Sequence, residues 1–133
     1  MERYEKTIVV AQGDLDELAH VNNVRYVQWM QDIAQEHWQA VAPPHMQRQL
    51  LWVVKEHRIT YLGAAQLHDR IRVGTHIGGS KGALSQRVIQ MTLENEEATP
   101  LLTAVTDWCC LDATTRRPIR IPKEVIDLFG PQP

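Results

Sequence analysis

The chain has 133 residues, 44 % of them apolar and 23 % charged, with 14 Lys and Arg against 16 Asp and Glu for a formal charge of −2. That length supports one domain, two at most, with a true core, and the slight acidity argues against any duty resting on phosphate-backbone attraction, which needs clustered positive charge. No run approaches the roughly eighteen apolar residues of a membrane span, the start MERYEKTIVV shows no secretion signal, and the only cysteines, Cys109 and Cys110, are adjacent and would face opposite ways in a strand; together these predict a cytoplasmic protein without disulfides.

Residues 4–11 (YEKTIVVA) predict a short first strand, followed by GDLDELAHVNN, which is crowded with turn and cap formers. From Asn23 to Val41 the pattern turns helical: Arg25, Gln28, Asp32, Gln35, Glu36 and Gln39 share an arc of roughly 100°. The rest of the circumference is apolar, with Gln31 and His37 as the polar intruders. A helix so widely apolar must be enclosed. Pro43 and Pro44 end it. Residues 50–62 finish in alternation, with His57, Ile59 and Tyr61 on one face, and GAAQ turns the chain. In 67–77, Ile71, Val73, Thr75 and Ile77 oppose Arg70, Arg72 and His76, and GGSKG (78–82) reads as a hairpin turn. Residues 83–93 alternate through Ile89, Met91 and Leu93, NEEATP turns again, and 101–112 forms the last long strand. A terminal helix is predicted from Pro122 to Phe129, with the proline at its first position.

No repeat or linker divides the chain, so residues 1–133 read as a single domain. Short connections between successive strands favour antiparallel pairing. Strands of about eleven to thirteen residues at ~3.4 Å each reach roughly 37–44 Å, further than a helix of ~28 Å. This describes an α+β hotdog fold, an antiparallel five-stranded sheet wrapped around a long central helix. Apolar residues left on the outer face of the sheet predict self-association.

The densest polar information lies at 13–29, GDLDELAHVNNVRYVQW, where an acidic loop runs into the helix start. A helix start offers about four unpaired N–H groups and about half a positive charge, so it can receive a developing oxyanion. A carboxylate beside it can activate water or attack a carbonyl. Asp16 is the acid placed for this, with His20 four residues on and Asn22 or Asn23 as helix cap. Taken by spacing alone, the same residues serve as turn formers and a routine N-cap.

The stretch GDLDELAHVNNVRYVQW resembles the signature of hotdog-fold acyl thioesterases of the 4-hydroxybenzoyl-CoA thioesterase type, and its HVNNVRY core is similar to plant acyl-ACP thioesterases. The resemblance extends loosely over the chain through RITYLG, Asp69 and RRPIRIP. It implies hydrolysis of acyl-CoA, or less favourably acyl-ACP, to free acid and thiol. It further implies Asp16 as the catalytic carboxylate and the Asn23 backbone N–H as the group receiving the thioester carbonyl. The site would lie between subunits of a homodimer or homotetramer, and coenzyme A would enter as part of the substrate, so no cofactor is expected. Leu18 and Thr60 stand where the plant pattern has Asn and Glu, which favours a mechanism resting on Asp16 alone, as nucleophile or general base. His20 would contact the substrate, orient the carboxylate, or only hold the loop. Tyr26 and Tyr61 would line the acyl pocket or pack in the core, and Lys81 would reach a coenzyme A phosphate or stay solvated.

Other chemistries fit less well. GGSKG precedes a strand rather than a helix, unlike a phosphate-binding P-loop. Ser80 and Ser85 are outside any GxSxG pattern, and the six histidines show no metal-ligand spacing. Two rivals remain: a non-catalytic acyl-CoA-binding hotdog module, and a hydroxyacyl-thioester dehydratase, for which His20 beside Asp16 is a loose match.

Overall fold

The computed structural model describes residues 2–130. Helix α1 (Asn23–Val41) starts at Asn22, whose backbone is extended and whose Oδ1 accepts from the Val24 N–H at 2.9 Å. One of the orphan donors of the first turn is thereby satisfied. The observed bounds of α1 are those read from the sequence. Beyond them the two prolines do more than stop a helix: Pro44, which has no N–H to lose, opens an unanticipated short helix α2 (Pro44–Gln49).

Strand β1 (Arg3–Val9) and four long strands, β2 (Leu50–Tyr61), β3 (Arg70–Lys81), β4 (Leu84–Leu93) and β5 (Pro100–Asp112), form one antiparallel sheet in the order β1-β3-β4-β5-β2. The α+β hotdog layout is the one observed. Side chains alternate between faces, so Ile71, Val73, Ile89, Met91, Leu102 and Ala104 line up on the inner face. There they bury against Tyr26, Trp29, Met30 and Ile33 of α1. A second apolar cluster joins Leu50, Ile77 and Cys110 to Met46 of α2 and to Val125 and Phe129 at helix α3 (Lys123–Leu128). The two cysteines are free; Cys110 is fully buried and Cys109 half-buried. Burial pushes the Cys110 thiol up to about 11.

Three expectations are corrected. GGSKG is not a turn: β3 continues to Lys81, and Gly78 is the extra residue of a β-bulge between Ile77 and Gly79. The reversal itself occurs at Gly82, whose φ of +61° is open to glycine at little cost. Pro122 caps α3 from outside instead of occupying its first position. Finally, α1 is enclosed on one side only within the chain. Val24 remains 75 % exposed, whereas His37, counted among the polar positions, is completely buried.

A Cβ on Gly78 would sit 3.0 Å from Val88 Cγ2, so the valine would have to give by a few tenths of an ångström in a packed strand pair. Gly78→Ala is expected to lower the unfolding free energy by about 1–3 kcal/mol, as overpacking does, measured by urea denaturation with the slope unchanged.

Candidate active site

The segment between β1 and α1 closes on itself before it enters the helix. Gln12–Asp14 form a turn of 3₁₀ helix. Leu15 bridges Val21, the Asp16 N–H donates to the His20 carbonyl at 2.7 Å, and the Asn22 N–H donates to the Asp14 carbonyl at 2.8 Å. Ala19 takes φ +60° at the tip. Inside this loop Asp16 Oδ1 accepts from the N–H groups of Leu18 at 2.9 Å and His20 at 3.2 Å. Asp16 is half-buried, and among the described residues its second carboxylate oxygen has no hydrogen-bond partner. Two acids divide the work: Asp14 pairs with Arg25 in the first turn of α1 at 2.9 Å. Among the described residues nothing accepts from the Asn23 N–H, because Asn22 caps the next residue along. The loop therefore offers a fixed carboxylate with one free oxygen, and the helix it leads into offers one free amide.

His20 takes part through its backbone, donating to Asp16 Oδ1 and accepting from the Asp16 N–H. Tyr26 is 1 % exposed, and its phenolic oxygen accepts from the Ala65 N–H at 3.2 Å. Burial raises its pKa. It thus pins the loop between β2 and β3, to which Val21 also donates through the Ala65 carbonyl. Tyr61 lies 6.1 Å from the Tyr26 ring and stays half open at the end of edge strand β2. Lys81 is not brought to this loop. Strand β3 starts at Arg70, beside the Asp69 that accepts from Val10, and eleven residues at ~3.3 Å carry Lys81 roughly 36 Å away. Leu18 and Val24, 70 % and 75 % exposed, flank the loop and the helix start, and Leu62 is exposed next to Tyr61.

Sequence reading missed a polar row across the middle of the inner face. Arg87 on β4 pairs with Thr106 on β5, and Thr106 pairs with His57 on β2. His57 Nδ1 and Thr106 Oγ1 lie 2.8 Å apart. Arg87 Nη1 donates to His37 Nδ1 of α1 at 2.8 Å and to Thr75 Oγ1 of β3 at 3.1 Å. Burial and the adjacent guanidinium press His37 down to about 4, so it is the neutral ring that accepts. Burial also lowers Arg87 to about 10, which leaves it charged at neutral pH. The signal was present in the alternation, because Arg87 shares its parity with Ile89 and Met91. Arg87 alone of this row borders a cavity of about 370 Å³ between the C-terminal half of α1 and the sheet. Gln35, on its rim, is twelve residues from Asn23, or roughly 18 Å along α1.

A model of the thioesterase-like superfamily matches residues 10–129. The chain is 35 % identical over 86 residues to the acyl-CoA thioesterase YbgC of Haemophilus influenzae, a match covering 62 % of this chain and 59 % of that relative. Among solved structures, a 4-hydroxybenzoyl-CoA thioesterase variant complexed with 4-hydroxybenzoyl-CoA superposes with TM-score 0.86 at 14 % identity, covering 96 % of this chain and 99 % of the other. The 12:0-ACP thioesterase of Umbellularia californica superposes with TM-score 0.82 at 18 % identity over 97 % of this chain and 50 % of its own. Among the described residues no helix is long and apolar enough to cross a membrane, and no three His, Cys, Asp or Glu side chains gather as a metal site would require.

Because His37 titrates lower in the folded chain than in the unfolded one, the unfolded chain takes up the proton first as pH falls. Its contribution to stability is complete above about 6.5 and is lost toward about 4, with a slope of up to about 1.4 kcal/mol per pH unit. His57 and His76 are shifted in the same direction, so the measurement is a difference. Denaturation curves of the parent and His37→Gln, whose amide oxygen can still accept from Arg87, are expected to show a shallower acid loss in the variant.

Proposed function

Because the chain belongs to the thioesterase-like superfamily, we propose that it hydrolyses acyl-CoA to a free carboxylic acid and coenzyme A, with acyl-ACP the less favoured substrate. The observation that carries this reading is the half-buried Asp16, held by two loop amides with one oxygen free, on the loop that leads into the unpaired Asn23 N–H. In one route Asp16 takes a proton from water, the resulting hydroxide adds to the thioester carbon, and the oxyanion rests on the Asn23 amide. Collapse breaks the C–S bond, and the thiolate leaves and takes up a proton. In the other, the carboxylate itself adds, expels the thiolate and forms an acyl anhydride that water then cleaves. Single turnover in ¹⁸O-labelled water tests the second route, since label enters Asp16 only when an anhydride forms and water cleaves it at the aspartyl carbon.

We further propose that residues 1–133 act as one hotdog unit in a homodimer or homotetramer, with the site completed by a second copy. Exposed Leu18 and Val24 flank the loop, and exposed Tyr61 ends, with exposed Leu62 just after it, an edge strand of twelve residues that has a free side in the sheet. Such apolar residues and long free edges are normally covered. Tyr61 then faces substrate at the joint, and Lys81 reaches a coenzyme A phosphate only from the second copy. Tyr26 and the His20 backbone position the loop.

Asp16→Asn preserves the oxygen that accepts from Leu18 and His20 and removes the base. Thiol release from an acyl-CoA chain-length series is expected to fall by about 10²–10⁴-fold with the thermal midpoint little changed. An unchanged rate would refute the assignment.

A further inference from the structure

A guanidinium buried as deeply as Arg87, 5 % exposed, ordinarily faces a carboxylate, because an uncompensated interior charge is costly. Arg87 instead gives Nη1 to two neutral acceptors, His37 and Thr75, and lies 5.9 Å from the Phe129 ring centroid. Among the described residues it forms no ion pair, and its Nε and Nη2 donate to nothing. That guanidinium borders the 370 Å³ cavity. Trp52 and Trp108 border it too, and both of their indole N–H groups are buried without an acceptor. Among the described residues, the only charge on the lining is the positive one of Arg87, set among neutral polar groups that include Ser80, Ser85 and Gln35. The remaining walls include Trp38, Ile126 and Phe129.

We propose that this cavity binds a small amphipathic monocarboxylate, its carboxylate on the Arg87 guanidinium and its apolar body against Trp38 and Phe129. A single negative charge balances the single buried cation, and a carboxylate matches the planar fork of a guanidinium. A phosphate dianion would overshoot that charge and gain nothing from the aromatic walls. At the ~30 Å³ that a water molecule occupies in the liquid, the space holds about a dozen non-hydrogen atoms. Exposed Gln35 and Gln39 on α1 border it, so the ligand enters from the helix side. The lining on α1 begins at Gln31, about 12 Å along the helix from Asn23, and the site stands whether or not the Asp16 loop is catalytic.

Three of the four tryptophans border the cavity, so intrinsic fluorescence reports its filling. Octanoate, neutral octanamide and inorganic phosphate are titrated into the parent, Arg87→Met and Asp16→Asn. The parent is expected to bind octanoate at least tenfold more tightly than octanamide, with phosphate failing to compete. Arg87→Met conserves volume and removes the unpaired charge, and is expected to lose that preference while still binding octanamide. Asp16→Asn is expected to titrate like the parent. Should Arg87→Met not fold, the paired ligands on the parent decide the matter. Equal affinity for octanoate and octanamide, binding of neither, phosphate competing as well as octanoate, or loss of octanoate in Asp16→Asn with retention in Arg87→Met would each overturn the proposal.

Discussion

Antiparallel pairing ties side-chain parity on each strand to that on its neighbours, and most of this molecule follows from that constraint. Once β3, β4 and β5 are in register, Val73, Met91 and Leu102 must share a face, and α1 has one surface on which to lose its apolar residues. The same rule places Arg87, Thr106 and His57 side by side, since a row across the sheet is polar if each strand contributes a polar residue there. The interior is thus divided. One apolar cluster lies under the first half of α1, another joins α2 and α3 beyond its second half, and hydrogen-bonded polar groups lie on the same inner face. Among the described residues, register is interrupted at three places: between Met91 and Thr92 where β4 meets β5, at Gly78 in β3, and between Val54 and Glu56 in β2. The irregularity in β2 allows both Trp52 and His57 to turn inward although they are five residues apart.

How legible a feature was in the sequence depended on whether local chemistry alone decided it. Helix α1 was readable to the residue because its cap, its periodicity and its proline stop are all local. The hotdog layout followed from strand count, short connections and an apolar helix. GGSKG was misread because glycine marks both turns and bulges, and only the partner strand, with Val88 crowding Gly78, separates the two. Helix α2 was hidden because proline, read as a stop, is also a favoured first residue. Arg87 was passed over for a different reason. Composition teaches that arginine lies outside, and the alternation that placed it inside was read for its apolar members only.

The candidate site shows the same division. Asp16, Asn22 and Asn23 could be singled out from a stretch of seventeen residues, since a turn-forming acid and a helix cap are both written in sequence. What could not be read was the division of labour between Asp14, which pairs with Arg25, and Asp16, which keeps an oxygen free. The distance from Lys81 to the loop was equally hidden, because it depends on strand direction in the folded sheet. The resulting molecule carries polar chemistry at both ends of one helix: a carboxylate and a free amide near its start, and a buried cation beside a cavity along its second half.

The adjacent cysteines illustrate what sheet sidedness does to reactivity. Cys110 is sealed in the second cluster with its thiol held in the protonated form, whereas its neighbour is turned to the other side and partly open. Two chemically identical residues one bond apart thus become unequal targets. An alkylating reagent meets a single accessible sulfur while the chain is folded and a pair once it opens, so the mass of the labelled protein counts unfolding events without any added dye.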